Sequence, residues 1–227
     1  MTEGQSPANG GRSSLLLGML LIGVLLLAIV VVLMLRPQLM AATALPTPSF
    51  APDIPGITPI DPGSEVADFT MTSSKGEPFD LSSLQGEYAL MFFGYTHCPD
   101  FCPLTLTEFK QVKTLLGEDA DSVNFIFITV DGERDTPEVL DRYVSRFDPE
   151  FIGLSPNAAT LEQIAPDYGL YYDLRTDEGT DDNYPVDHST VSYLIDAQGK
   201  LRAIYSYDAA PEVIADHVRG VMAGEGA

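Results

Sequence analysis

EYALMFFGYTHCPDFCPLTL, residues 87–106, is the stretch from which the rest of the chain is read. Residues 87–95 form an apolar, aromatic-rich run behind Gly86, the pattern of a strand covered on both faces of a sheet. The remainder holds the only two cysteines of the 227 residues, Cys98 and Cys102, each followed by proline. Pro103 disfavours helical backbone at Cys102 and itself suits a first helical position. Cys102 is therefore expected just before a helix that carries Phe109, Val112 and Leu116 at helical spacing and stops at Gly117. The step back to Cys98 then makes a turn at the carboxyl end of the buried strand, the edge where open α/β sheets bind ligands. Helix-end amides and the helix dipole are expected to favour thiolate at Cys102.

Working outward, VNFIFITV (123–130) is β-branched and aromatic and reads as a second buried strand, giving a strand–helix–strand unit with a right-handed crossover. A second helix is expected from Thr136 as N-cap and Pro137 at its first position, through Val139, Leu140, Tyr143 and Phe147. A short strand over 151–154, a helix over 157–165, a hairpin of 189–196 with 200–206, and a last helix over 211–222 follow. Residues 171–187 lack periodicity and read as a long loop leading to His188, and such loops in compact domains often serve function. No internal repeat is present. The class is α/β, a thioredoxin-like mixed sheet with helices on both faces.

The amino-terminal third is different. Residues 15–35 are 21 consecutive positions without a charge, and about 20 apolar residues span a bilayer as helix. Ala42 and Ala44 offer a signal-peptide cleavage pattern, but the run exceeds the roughly 7 to 15 residues of a signal core and only Arg12 precedes it as a basic residue. One uncleaved transmembrane helix is therefore expected. Arg12 and Arg36 flank it evenly and leave its orientation open. Seven prolines in residues 36–63 read as a semi-rigid spacer. The organisation is thus a tail (1–14), an anchor (15–35), a proline-rich linker (36–63) and a folded domain (64–227). That domain carries 30 Asp and Glu against 10 Lys and Arg, a net charge of −20, which repels phosphate backbones and excludes nucleic acid as a partner.

Two cysteines cannot staple a domain of this size, so reactive or metal-binding roles are expected. On one tight turn they can close a disulfide or converge on a soft metal ion, and both readings stay open. C-x-x-C would lean toward thiol exchange; the extra residue here widens the turn and favours a chelate. Three histidines are available as a third ligand. His217 on the last helix reads as a solvent-facing structural residue, and the His97 side chain is expected to point away from the bite of the sulfurs. His188 could reach the cysteine edge of the sheet or be structural. A two-sulfur, one-nitrogen site suits Cu(I), or Zn(II) with a fourth ligand, and accepts Cu(II) with adjustment.

FGYTHCPDFCPLTL (93–106), TVDGERDTPEVL (129–140) and VDHSTVSYLID (186–196), in that order, resemble the three signature blocks of the SCO/SenC copper-chaperone family, over roughly residues 64–222. Asp131–Gly132 stands where the family usually has Asp–Pro, and Ala197 where proline is common. The resemblance implies a thioredoxin-like domain tethered to the cell membrane by a single-pass helix, on its extracytoplasmic side. It also implies assistance in assembling the binuclear copper site of a cytochrome c oxidase subunit. Carried across, the metal ligands fall on Cys98, Cys102 and His188, with copper as Cu(I), Cu(II) or both. Asp131 and Asp135 beside the site orient ligands or are solvated loop carboxylates. Other copper chaperones or thiol reductants are further partners in this reading. The alternative function is a thiol-disulfide oxidoreductase, with Cys98 and Cys102 as a redox-active dithiol reducing the recipient's cysteines. A peroxiredoxin-like peroxidase shares such a fold and a threonine near its cysteine, as Thr96 here, but not the C-P-x-x-C-P loop or the VDHS block.

Overall fold

The computed structural model describes residues 54–180 and 183–224, together with seven positions between 23 and 31. Those seven are helical and exposed. The remainder of the expected anchor, the tail and the linker up to residue 53 lie outside the described residues. No helix among the described residues is long and apolar enough to cross a membrane.

Among the described residues from 54 onward, ten strands and four α-helices follow. The strands are β1 (Ile57–Glu65), β2 (Thr70–Ser73), β3 (Pro78–Asp80), β4 (Tyr88–Gly94), β5 (Val123–Thr129), β6 (Ile152–Ser155), β7 (Tyr172–Leu174), β8 (Val186–His188), β9 (Ser192–Ile195) and β10 (Lys200–Tyr205). The helices are α1 (Phe101–Leu116), α2 (Pro137–Val144), α3 (Ala158–Tyr168) and α4 (Pro211–Met222). Eight strands make one mixed sheet in the order β1-β10-β9-β4-β5-β6-β2-β3, and β7 pairs with β8 apart from it. β4 runs parallel to β5 and antiparallel to β9, and β5 runs parallel to β6.

β4 shows no apolar–polar alternation because both of its faces are covered. Successive side chains of a strand point to opposite faces. On one face Phe92 meets Phe127, which meets Tyr143 of α2, while Phe109 of α1 packs on Phe125. On the other, Phe93 meets Tyr168 of α3 and Tyr193 of β9. The expected thioredoxin-like arrangement, with helices on both faces, follows from these contacts. Thr136 caps α2 as its sequence suggests, its hydroxyl accepting from Val139 N–H.

Several boundaries differ from the sequence reading; α2, expected to run through Phe147, ends at Val144 and is closed by Ser145 N–H on the Asp141 carbonyl. The sheet begins at Ile57, seven residues inside the expected linker, because β1 is an edge strand and pairs only with β10, where Pro59 and Pro62 are tolerated. α1 starts at Phe101, so Cys102 lies inside its first turn. Pro103 fits there too, since the first four helical N–H groups have no partner within the helix. α3 runs to Tyr168 and ends on Gly169 in left-handed conformation (φ 57°). Residues 171–187 are not an open loop: the ends close as the β7–β8 hairpin, with Tyr172 opposite His188.

Candidate metal centre

β4 ends at Gly94, and the chain turns so that Cys98 N–H donates to the Tyr95 carbonyl at 3.3 Å. Cys102 returns from the first turn of α1 to face the strand it left. A Cβ added at Gly94 would stand 2.7 Å from Cys102 Sγ and under 3 Å from ring atoms of Phe92 and Phe127. Glycine at 94 is therefore what makes room for the sulfur. Cys102 is fully buried and Cys98 half-buried, and both are free thiols.

His188 arrives from the end of β8. Its Nδ1 lies 2.8 Å from the Ser189 carbonyl. A carbonyl can only accept, so Nδ1 carries the proton and Nε2 holds a lone pair. That Nε2 lies 3.6 Å from Cys102 Sγ. The ring is held edge-on by Phe92, at 5.8 Å between centroids, and by Tyr95, at 5.6 Å.

One ligand atom from each of Cys98, Cys102 and His188 lies within 4.8 Å of the others, and theirs is the only such group among the described residues. Two ligands opposite each other across a metal, with bonds of about 2.0–2.3 Å, stand at most about 4.6 Å apart. Side-chain adjustment alone can bring the three donors onto one ion. The set of two sulfurs and an imidazole with an available lone pair fits a soft or borderline metal.

The protonation of the pair reverses the expectation. A hydrogen bond from the Cys102 thiol lowers the Cys98 pKa to about 3 against the opposing effect of burial. Burial, then the bond to Cys98 and its negative charge, push Cys102 far up. In the reduced site Cys98 is thus the thiolate and Cys102 the thiol.

Asp131 and Asp135 are not solvated loop carboxylates, since both are fully buried. Asp135 accepts from Thr96 N–H at 2.8 Å, from the Thr96 hydroxyl at 2.5 Å and from the Thr129 hydroxyl at 2.6 Å. Asp131 accepts from the Tyr184 hydroxyl at 2.7 Å and pairs with Arg134. His97 stands apart from the sulfurs, 3.7 Å from Asp135. His217 is turned inward rather than to solvent, its Nδ1 2.9 Å from the Tyr205 hydroxyl. Gly94, Tyr95, Arg134 and Tyr184 were not among the residues singled out from sequence. Tyr184 meets Asp131 across 53 positions, and no local pattern marks it.

Such a fold, with a thiol pair and an imidazole meeting at the end of its central strand, defines a dithiol domain equipped for a soft metal. The chain belongs to the SCO1/SenC family, whose model matches residues 58–223. A SCO2-like protein of Rickettsia felis is 35% identical, covering 67% of this chain and 75% of its own. The mitochondrial SCO2 homolog of Bos taurus is 37% identical over 69% of this chain and 59% of its own. Among solved structures, Bradyrhizobium japonicum ScoI with copper bound is 38% identical, with a TM-score of 0.62, over 69% of this chain and 98% of that one.

Proposed function

We propose that this chain is a membrane-anchored copper chaperone. It holds copper on Cys98, Cys102 and His188 and passes it to the cytochrome c oxidase subunit that carries the binuclear copper site. The observation that carries the reading is the convergence of the three donors, with the lone pair of His188 Nε2 near Cys102 Sγ. The copper in the Bradyrhizobium relative supports that ion over zinc, and the three signature blocks support the recipient. Cys98 is half-buried and borders an open depression with Phe101, Tyr171 and His188, so an acceptor ligand can approach the ion from that side and replace the donors one at a time. The apolar run 15–35 tethers the domain, which faces away from the cytoplasm.

The test is anaerobic titration of the reduced, detergent-solubilised chain with Cu(I) and Cu(II), reporting stoichiometry and ligand type by spectroscopy. One ion per chain is expected. His188→Ala is expected to weaken Cu(I) binding by more than the about 10–100-fold that a supporting contact is worth, with Cys98–Cys102 disulfide formation retained. Unchanged affinity in that variant refutes the ligand set.

A second reading, thiol-disulfide exchange with the recipient, is favoured by the half-buried Cys98 thiolate backed by the Cys102 thiol. Cys98 attacks one sulfur of an oxidised recipient and the other leaves as thiolate. Cys102 then attacks the mixed disulfide, its proton passing to a departing thiolate, so the recipient gains two electrons and this chain becomes the disulfide. Copper delivery needs the same pair reduced, so the two roles alternate.

A further inference from the structure

We propose that Asp131 and Asp135 are two separate pins, one for each ligand-bearing segment of the chain. Asp131 positions His188 through Tyr184 and Arg134, and Asp135 positions Cys98 through Thr96. The inference rests on the ligand set proposed above.

Both carboxylates leave the carboxyl end of β5 and are fully buried, a placement that is costly unless their lone pairs are met by donors. The Thr129 hydroxyl registers them to β5, donating to Asp135 and accepting from Asp131 N–H at 3.0 Å. From there they diverge. The remaining donors to Asp135 come from Thr96, through both its N–H and its hydroxyl, two residues before Cys98. Those to the Asp131 carboxylate come from the Tyr184 hydroxyl, four residues before His188, and from Arg134. Arg134 repeats the same attachment: it donates to the Tyr184 carbonyl at 3.0 Å, and its guanidinium lies 3.6 Å from the centre of the Tyr184 ring.

The hairpin needs such a foot. β7 and β8 have three residues each and stand outside the main sheet, and a two-stranded hairpin alone is marginal in water. Tyr184 is one of its buried side chains, 6% exposed, and it ends on Asp131. Groups that orient metal ligands from behind are typically worth about 10–100-fold in metal affinity.

The experiment is a cycle on the reduced full-length chain in detergent, with Cu(I) affinity measured by competition against a chromogenic chelator. Tyr184→Phe removes one hydroxyl and keeps the ring beneath Arg134. It is expected to weaken Cu(I) binding by about 10-fold or more in the parent and by less than twofold once His188→Ala is present. Thr96→Val is expected to weaken binding by a similar factor in both backgrounds, because it acts through Cys98. In the metal-free chain, Tyr184→Phe is expected to speed amide hydrogen exchange at 186–188 while leaving 96–98 unchanged, and Thr96→Val to do the reverse. A Tyr184→Phe loss that persists undiminished beside His188→Ala, or the absence of any loss, overturns the pins. If His188→Ala itself costs no affinity, the ligand set fails first, which is a distinguishable result.

Discussion

Cys98 stands on the turn that leaves the central strand and Cys102 on the helix that follows it, whereas His188 stands on a small hairpin outside the main sheet. The first region is fixed by the core itself: the residues from Leu90 to Phe93 are wholly buried, and the Cys102 sulfur sits in the space left by Gly94. The second is fixed by a few polar ties to the segment that follows β5 and by the contact of the His188 ring with Tyr95. Two of the three donors thus belong to the scaffold, and the third belongs to a hairpin outside the main sheet. In the proposed chaperone role, that division separates holding an ion from surrendering it.

Phe92 offers the largest way to break the contrast, because it is core to the sheet and also packs on the His188 ring. Phe92→Ala is expected to cost about 3–5 kcal/mol in denaturant unfolding of the reduced chain and to weaken copper binding as well. Gly94→Ala tests the scaffold alone. Its Cβ has no free space, so a cost of about 1–3 kcal/mol is expected, with weakened copper binding and unchanged hydrogen exchange in the hairpin.

The cysteines can be told apart by alkylation of the reduced, metal-free chain. A lowered pKa keeps the ionised form populated as pH falls, down to about 3 for Cys98. Its reaction rate with iodoacetamide is therefore expected to change less than about threefold between pH 7 and pH 5. A free cysteine of pKa about 8.5 loses about a hundredfold over that range, and Cys102 is expected to stay unmodified throughout, as read by peptide mass mapping. The smallest effect belongs to Arg175, which bridges Asp173, Glu178 and Asp187 on the exposed side of the hairpin. Pairs of that kind contribute little, so Arg175→Ala is expected to shift Cu(I) affinity by less than twofold.

Much of the scaffold was legible in the sequence because its signals are local. β4 and β5 are unbroken apolar runs, α2 has a threonine cap followed by proline, and α4 falls on the expected residues. β1 escaped because its prolines mimic a spacer, and β2 and β3 because they are short and largely exposed. The three site residues could be named, but not what surrounds them. Thiolate was assigned to Cys102 from the helix dipole, worth about 0.3–1 kcal/mol and up to ~2. Burial can shift a thiol by up to about 3–5 pKa units at about 1.4 kcal/mol each, and it outweighs the dipole at a sulfur packed beneath Gly94. The roles of Tyr184 and Arg134 depend on a meeting across some fifty positions, which no single sequence displays.

The proline-bearing rims of the sheet have a consequence of their own. β1 and β3 are its two open borders; the former carries Pro59 and Pro62 and an irregularity in its pairing, the latter begins at Pro78. Unprotected borders of this kind invite another chain to dock as an extra strand, and prolines and bulges are how natural sheets discourage it. At high concentration the domain is accordingly built to stay clear of strand-on-strand aggregation, so that crowding of many copies need not seed fibrils.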